Sequence, residues 1–301
     1  MKKKTAFRLI LAAVLIVIGC ILFGGTMTAL NWNFRTLSTQ KLETVRHGIL
    51  EPFQNISIVT DTADVVFVPS KLDKTAVVCD EFENVTHSVF VKDGTLVVEV
   101  VDSRKWYDHI DFFFGTPKIT LEIPGGVYGA LEVTASTGDT QIPDSFQFAS
   151  VAVSLSTGDV TCGASTTGDI QIQTSTGKVT LNGVTCDGDI AVNVSTGDVF
   201  LTDATCQNLT STGSTGDMTL KNVIASGSFS IERSTGDIHF ESCNAGEITV
   251  ETDTGDVTGS FLTDKVLFTQ TDTGRVRIPQ TTTGGRCEIT TTTGDIEITV
   301  N

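Results

Sequence analysis

Aspartate is the residue with chemical potential that recurs most regularly in this sequence. The stretch STGDV stands at residues 156–160 and again at residues 195–199, and close variants occur elsewhere. Regularly spaced carboxylates are oxygen ligands of the kind that calcium prefers. Asp and Thr side chains in turns also accept hydrogen bonds from backbone amides of their own turn, which explains a recurring aspartate without any metal. We expect the second role, with no resident metal. In most copies of the motif an aspartate directly follows the glycine, and we call these equivalent positions the aspartate column. The candidate calcium ligands are its longest unbroken run, Asp198, Asp217, Asp237 and Asp256.

An aromatic segment is the second candidate for a functional contact. Residues 106–114 read WYDHIDFFF and hold five aromatic rings beside acidic residues. The segment is either an exposed contact patch for a partner or membrane, or a loop whose rings fill a seam within the fold. The rings that would form the patch are Trp106, Tyr107, Phe112, Phe113 and Phe114.

Catalytic chemistry has little support in the sequence. Of four histidines, only His239 lies in the repeat, and no Ser/His/Asp or paired-carboxylate arrangement stands apart from the turn pattern. The sequence contains no CxxC pair or Cys/His cluster that would indicate zinc. We therefore expect no enzyme and no cofactor. If the chain holds a disulfide, we expect Cys186 and Cys206, because each follows a repeat glycine by nine residues.

The aspartates belong to a repeat with a period of 19 or 20 residues. Nine Thr-Gly pairs follow one another at these intervals from Gly138 to Gly294, which is typical of a solenoid. Positions seven and five residues before each glycine, and two and four after it, are mostly apolar, whereas those between them are mostly polar. This alternation with period two predicts strands with one buried face. The fold class is therefore all-β: a parallel β-solenoid with two strands per coil, right-handed by the usual crossover rule.

The part of the chain before the repeat is less periodic. Asp93-Gly94 between two apolar runs predicts a hairpin, and Lys118 to Ile123 predicts a strand. Residues 61–65 look like a degenerate copy of the repeat motif, so a first coil begins near them. We interpret residues 49–130 as this coil with an antiparallel β insert that caps the open solenoid end. Residues 131–301 are the solenoid, and Ile296 to Asn301 is its far end.

The N-terminus predicts a membrane anchor. Residues 9–30 carry no charge and are long enough to span a bilayer. Residues 1–8 hold Lys2, Lys3, Lys4 and Arg8, so this basic tail should stay in the cytoplasm and the rest should lie outside. A cleaved signal peptide, or lipidation at Cys20, is the alternative. Residues 31–48 would be a juxtamembrane linker.

Charge excludes one class of partner. The chain carries a formal net charge of −16, and its basic N-terminal segment leaves residues 31–301 with 16 basic and 36 acidic residues. Such a surface repels nucleic acid and anionic lipid. We expect no nucleic-acid partner.

The combination of features resembles a known family. The anchor, Ile56-Ser57-Ile58, the hairpin at residues 91–96, Lys105-Trp106-Tyr107 and the STGD repeats together resemble the bacterial membrane-anchored β-strand-repeat "putative adhesin" family, which includes LiaG-like proteins. The resemblance implies the solenoid fold and transfers no catalytic or ligand residue. For LiaG-like proteins it implies a link to envelope-stress systems.

Three classes of function follow from these observations. The expected one is a non-enzymatic cell-surface scaffold or binding module, with adhesion as one form that the binding could take, whose partner is a cell-envelope polymer or membrane protein. The alternatives are an accessory or sensory subunit of an envelope-stress system, and a polysaccharide-active β-helix enzyme. The expected location is the bacterial cell membrane, with a single pass and an extracellular C-terminal domain.

Overall fold

A computed structural model describes residues 2–33, 42–71, 74–104 and 115–300 of the chain. Its one described helix, α1, spans Lys2–Ala29, and the stretch Ile10–Ala29 is long and apolar enough to cross a membrane. The rest of the described chain is β structure. The strands before the repeat are β1 (Glu43–Ile49), β2 (Asn55–Thr60), β3 (Asp64–Pro69), β4 (Thr75–Glu81), β5 (Val85–Lys92), β6 (Thr95–Asp102) and β7 (Lys118–Ile123).

The strands of the repeat alternate between long and short. In chain order they are β8 (Gly126–Thr137), β9 (Thr140–Ile142), β10 (Phe146–Thr157), β11 (Val160–Cys162), β12 (Ser165–Thr166), β13 (Ile170–Thr176), β14 (Val179–Asn182), β15 (Ile190–Thr196), β16 (Val199–Thr202), β17 (Thr205–Cys206), β18 (Leu209–Thr215), β19 (Met218–Lys221), β20 (Ile224–Ala225), β21 (Ser228–Thr235), β22 (Ile238–Cys243), β23 (Glu247–Thr254), β24 (Val257–Phe261), β25 (Lys265–Thr273), β26 (Val276–Arg277), β27 (Gly285–Thr293) and β28 (Ile296–Val300).

These strands stack into two parallel sheets, as the period predicts. The strands before each Thr-Gly turn form the long-strand sheet, and the strands after it form the short-strand sheet. Equivalent residues lie in register, so that Val153 pairs with Ile172 and Ile172 with Val192. The result is a β-solenoid of about nine turns. Its handedness stays a prediction.

The predicted inward columns form the core. Val192 and Leu201 are buried, whereas Asn193 is exposed. A chain of apolar contacts runs through the stack from Ile56 to Ile298. Burying such a continuous apolar strip is what a single coil cannot achieve alone, and it supplies the main stabilisation of the stack.

Each middle coil also has a third, very short side that the sequence pattern did not predict. Strands β17 and β20 pair in parallel there, and single bridges join Thr166 to Cys186 and Thr185 to Thr205. Cys186 and Cys206 therefore lie on neighbouring coils, as expected, and both are buried free thiols. Small residues at these positions let the chain turn back across a narrow core.

The inward position of Arg233 in the long-strand sheet carries a charge. Arg233 is buried, and its Nη2 donates a hydrogen bond to Ser211 Oγ at 2.9 Å. Gly213 makes room for it, because a Cβ there would lie 1.7 Å from Arg233 Nη1. Burial lowers the pKa of Arg233, and the charge of Asp198 opposes that shift. Ser211, an exception in its apolar column, is thus the hydrogen-bond partner of a buried guanidinium.

The N-terminal cap is partly antiparallel and partly parallel. The predicted hairpin is present: β5 and β6 pair antiparallel around Asp93 and Gly94, whose φ angles are 49° and 74°. Strands β6 and β7, however, pair in parallel with β2 and β3 and add a coil outside the first one. Strand β4 pairs antiparallel with β7, and β1 with β4. The predicted linker 31–48 is therefore wrong over residues 43–48, which belong to β1.

The C-terminal coil does not lie at the end of the rod. Strands β27 and β28 insert between the coil of β23 and β24 and the coil of β25 and β26. The expectation that residues 296–301 end the solenoid is wrong, because β28 pairs with β24 on one side and β26 on the other. The coil that precedes it in sequence becomes terminal, which explains why Val276 is 42% exposed although it occupies an apolar column.

Candidate functional site

The aspartate column joins neighbouring coils. Asp217 Oδ1 accepts a hydrogen bond from the Asp237 backbone N–H at 2.9 Å, and Asp237 Oδ1 accepts one from Asp256 N–H at 2.8 Å. The expectation that each carboxylate accepts an amide within its own turn is wrong, since the donor belongs to the next coil. A charged acceptor strengthens such a bond, so each aspartate fastens one coil to the next.

The inserted coil changes the order of this column. In sequence Arg275 follows Asp256, but in the structure Asp295 follows it, because Asp295 N–H donates to Asp256 Oδ1 at 2.7 Å. Arg275 lies beyond Asp295, bonds its Oδ2 through Nη2 at 2.6 Å, and lowers the pKa of that carboxyl. The unbroken run of carboxylates therefore contains one member more than the sequence indicated: Asp198, Asp217, Asp237, Asp256 and Asp295.

Glycine at the corner is required by close approach as well as by conformation. Gly197 has φ of +139°, and a Cβ there would lie 2.0 Å from the Gly177 carbonyl oxygen. The degenerate copy of the motif at residues 61–65 has the same geometry. Ala63 takes the glycine position beneath Gly138, and Asp64 Oδ1 accepts a hydrogen bond from the Asp139 N–H at 2.9 Å. The prediction that a first coil passes through residues 61–65 is confirmed.

The outer face of the long-strand sheet carries a shallow groove of about 320 Å³. It crosses five neighbouring strands, β8, β10, β13, β15 and β18. Its outward residues form two rows along the stack, one from the sixth and one from the fourth residue before each repeat glycine. We call this surface the sheet groove. Its outward residues are Glu132, Ala152, Gln171, Ala191 and Thr210 in the first row, and Thr134, Ser154, Gln173, Asn193 and Thr212 in the second.

The two rows differ in relief and in chemistry. In the first row Gln171 lies between Ala152 and Ala191, so its side chain stands between two depressions. The second row presents hydroxyl and amide groups at every coil. Such groups both donate and accept hydrogen bonds and carry no charge. Glu132, at one end, is the one carboxylate among the groove residues, so the groove is nearly neutral on an acidic protein.

The cap brings together four side chains that could hold a metal. His47 lies on β1, Cys79 and Glu81 lie on β4, and His87 lies on β5 of the opposite sheet. Ligand atoms of His47, Cys79 and Glu81 all lie within 4.8 Å of one another. His87 Nδ1 is 3.5 Å from Glu81 Oε1. We call these four residues the cap cluster.

Burial controls the protonation of the cap cluster. Burial, followed by the charges of Glu81 and Asp80, raises the pKa of the Cys79 thiol to about 12. Burial lowers the pKa of His87, although Glu81 opposes that shift, so the imidazole is neutral at pH 7. The sequence offered no indication of this cluster, because its members come from three strands and have no motif spacing. The predicted aromatic patch, Trp106 to Phe114, lies outside the described residues.

Stacked coils, inter-coil aspartates and a capped end define a β-repeat solenoid. The family model described as Toastrack DUF4097 matches residues 53–299, and the chain belongs to this family. None of the curated proteins matches the chain in sequence.

Solved structures share the fold at low sequence identity. A "putative lipid binding protein" from Parabacteroides distasonis has a TM-score of 0.54 at 12% identity, covering 87% of this chain and 98% of that one. A "putative adhesin" from Parabacteroides merdae has a TM-score of 0.52 at 10% identity, covering 87% and 98%. A "putative adhesin" from Bacteroides fragilis has a TM-score of 0.47 at 16% identity, covering 86% and 97%. The first two support the fold of this chain.

Proposed function

We propose that this protein is a non-enzymatic, membrane-anchored binding module of the bacterial cell surface, whose sheet groove holds an extended, uncharged envelope polysaccharide. The observation that carries the proposal is the second row of the groove, which is neutral and polar across five coils. Neighbouring strands lie about 4.8 Å apart, so this row offers hydrogen-bonding groups at a constant repeat along the stack. A polymer of hydroxyl- and amide-bearing units can use the same contacts at each step.

Charge supports an uncharged ligand. Residues 31–301 carry a net charge of −20, which disfavours anionic polymers at long range. Within the groove, amides and hydroxyls have nothing ionic to pair with an anion. Hydrolysis of a glycan by the usual mechanism needs two carboxyl groups flanking the bond, and Glu132 alone lines the groove. The groove chemistry therefore favours binding over cleavage.

The binding test uses the full chain in detergent and two probes. Chitin-type oligomers of N-acetylglucosamine should bind, and heparin, a polyanion, should not. Ala191→Arg fills one depression of the groove and should abolish oligomer binding. Thr249→Arg adds the same side chain at an exposed position of the same row, on β23, outside the groove, and should bind like the unaltered protein. Equal binding by both variants would remove the groove from the proposal.

The membrane anchor has its own test. The apolar stretch Ile10–Ala29 follows Lys2, Lys3, Lys4 and Arg8, and basic residues stay on the cytoplasmic side. Protease added to intact protoplasts should therefore remove the β domain while leaving the N-terminal segment with the membrane. Survival of the β domain until lysis would mean the opposite orientation. Release of the whole chain into the medium would instead indicate a cleaved signal peptide.

The narrower likeness to LiaG-like proteins suggests the second role, that of an accessory or sensory subunit of an envelope-stress system. It rests on the sequence resemblance alone. Deletion of the gene should then alter the induction of an envelope-stress response. A deletion strain with unchanged induction would leave the binding role as the one to pursue.

A further inference from the structure

The cap cluster unites the side-chain types that bind zinc. Two imidazoles, one thiol and one carboxylate offer nitrogen, sulfur and oxygen ligands, the set found in tetrahedral zinc sites. The four residues come from β1, β4 and β5, so the cluster spans both sheets of the cap. We propose that His47, Cys79, Glu81 and His87 form a structural zinc site that fastens the N-terminal cap.

The ligand atoms of His47, Cys79 and Glu81 converge, and His87 lies beside Glu81. Ligand atoms at about 2.0 to 2.3 Å from a tetrahedral zinc lie about 3.3 to 3.6 Å from one another. His87 Nδ1 lies 3.5 Å from Glu81 Oε1, and His47 Nε2 lies 4.0 Å from the same oxygen. The Cys79 sulfur lies within 4.8 Å of the ligand atoms of His47 and Glu81, so side-chain shifts of less than about 1 Å would bring these three ligands to bonding distance of one ion. His87 would complete the site from the Glu81 side.

The imidazole nitrogens support a ligand in this place. His87 is nearly fully buried; its Nδ1 faces Glu81 Oε1 at 3.5 Å without hydrogen-bond geometry, and its Nε2 has no hydrogen-bond partner among the described residues. Within the same part of the chain, His47 Nε2 is also buried without a hydrogen bond, 4.0 Å from Glu81 Oε1. Buried polar atoms in folded proteins are normally paired, because leaving one unpaired costs about 1 to 3 kcal/mol. A divalent cation between these two rings would accept a nitrogen lone pair from each and so give each ring a partner.

The surroundings of the cluster already orient one ligand. The His87 backbone N–H donates a hydrogen bond to Glu81 Oε1 at 2.7 Å, which fixes the carboxylate toward the cluster. Outer contacts of this kind typically hold metal ligands in place. A small cavity of about 10 Å³ borders His87, with Asp61 and Asp80 in its wall, and acidic groups there attract cations.

Zinc binding has a defined chemical balance. Cys79 loses its thiol proton to solvent as the sulfur–zinc bond forms, and the two imidazoles bind through nitrogen lone pairs without a proton change. The two positive charges of zinc then balance the negative charges of the Glu81 carboxylate and the Cys79 thiolate. The bound ion would tie β1, the first described strand after the anchor, to β4 and β5, and so would join the anchor side of the chain to the solenoid.

Metal content and cobalt spectroscopy test the site. The full chain in detergent, stripped with chelator and then given Zn²⁺, should retain one zinc per chain after gel filtration. Cobalt in its place should give the visible bands of a tetrahedral ion and a thiolate-to-cobalt charge-transfer band in the near ultraviolet. His47→Gln and Cys79→Ala should each lose stoichiometric binding, and the charge-transfer band should vanish with Cys79→Ala.

Matched controls separate the site from adventitious binding. His239→Gln changes an exposed histidine of the repeat, and Cys162→Ala changes a buried cysteine outside the cap. Both should keep one zinc and the cobalt spectrum. His47 is only half-buried, so His47→Gln should keep its fold even if Cys79→Ala does not. Absence of stoichiometric zinc from the unaltered protein, or its retention by folded His47→Gln, would overturn the proposal.

Discussion

Substituting the corner glycine Gly197 tests the solenoid geometry most directly. Its φ of +139° lies in a region that residues with a side chain rarely adopt, and a Cβ would lie 2.0 Å from the Gly177 carbonyl oxygen. By conformation alone, Asn should be less harmful here than a β-branched residue such as Val, because Asn accepts left-handed backbone. The structure predicts that Gly197→Asn is severely destabilising, because the adjacent coil leaves no room for any Cβ.

The magnitude follows from two contributions. The backbone conformation costs about 1 to 3 kcal/mol for a residue with a side chain. To restore a contact of 3.0 Å, the coils would have to separate by about 1 Å, against a strand spacing of about 4.8 Å. That movement weakens the Gly177 N–H bond to the Thr196 carbonyl, at 3.0 Å, and its neighbours, each worth about 1 kcal/mol. Together these effects come to about 3 to 5 kcal/mol.

Gly183 provides the matched control. It also has positive φ, +68°, but a Cβ there meets nothing within 4 Å. Gly183→Asn should therefore cost only a few tenths of a kcal/mol, since Asn is tolerated in the left-handed region. Thermal unfolding of the full chain in detergent, followed by circular dichroism, should show Tm lowered by about 10 °C in Gly197→Asn and by about 1 °C in Gly183→Asn. Equal shifts in the two variants would refute the argument from close approach.

Three further predictions concern the core, the aspartates and pH. Val192→Asp buries an unpaired charge and should lower the free energy of unfolding by several kcal/mol in denaturant titrations. Asn193→Asp, at an exposed position, should change it by less than about 0.5 kcal/mol. Similar values for the two variants would mean that the strand register is wrong. Asp217→Asn combined with Asp237→Asn keeps the side-chain oxygens that accept the amide hydrogen bonds, so it should cost little, and millimolar calcium should leave Tm unchanged in both proteins. A calcium-dependent rise of several degrees that the double variant erases would instead show shared cations. Arg275 lowers the folded-state pKa of Asp295, so the stabilisation is present above the ordinary aspartate pKa of about 3.9 and is lost as pH falls through the lowered value. The Tm difference between the unaltered protein and Asp295→Asn should accordingly shrink between about pH 5 and pH 2, and a constant difference would count against the Arg275 contact.

The coil itself could be predicted from the sequence because its determinants are local. Alternation of apolar and polar residues decides which side chains point inward, and the Thr-Gly pair marks the corner, so Val192 and Asn193 were placed correctly. The hairpin at Asp93 and Gly94 is equally local. The alternating pattern of Ser, Thr, Gln and Asn also indicated a polar outer face. The relief of the sheet groove depends on how Ala152, Gln171 and Ala191 align between coils.

Tertiary structure decided what a repeated pattern cannot specify. Every coil carries nearly the same apolar columns, so the pattern does not state which coil stacks on which, and the insertion of β27 and β28 before the terminal coil could not be derived from it. For the same reason, the repeat pattern did not show that the amide bonded to each aspartate belongs to the next coil. The cap cluster depends on antiparallel pairing of β1 with β4 and on packing of β5 across the core, which brings His47, Cys79, Glu81 and His87 together from three strands. Long-range strand pairing is a property of the whole folded chain, because its free energy comes from surfaces that only the complete stack buries.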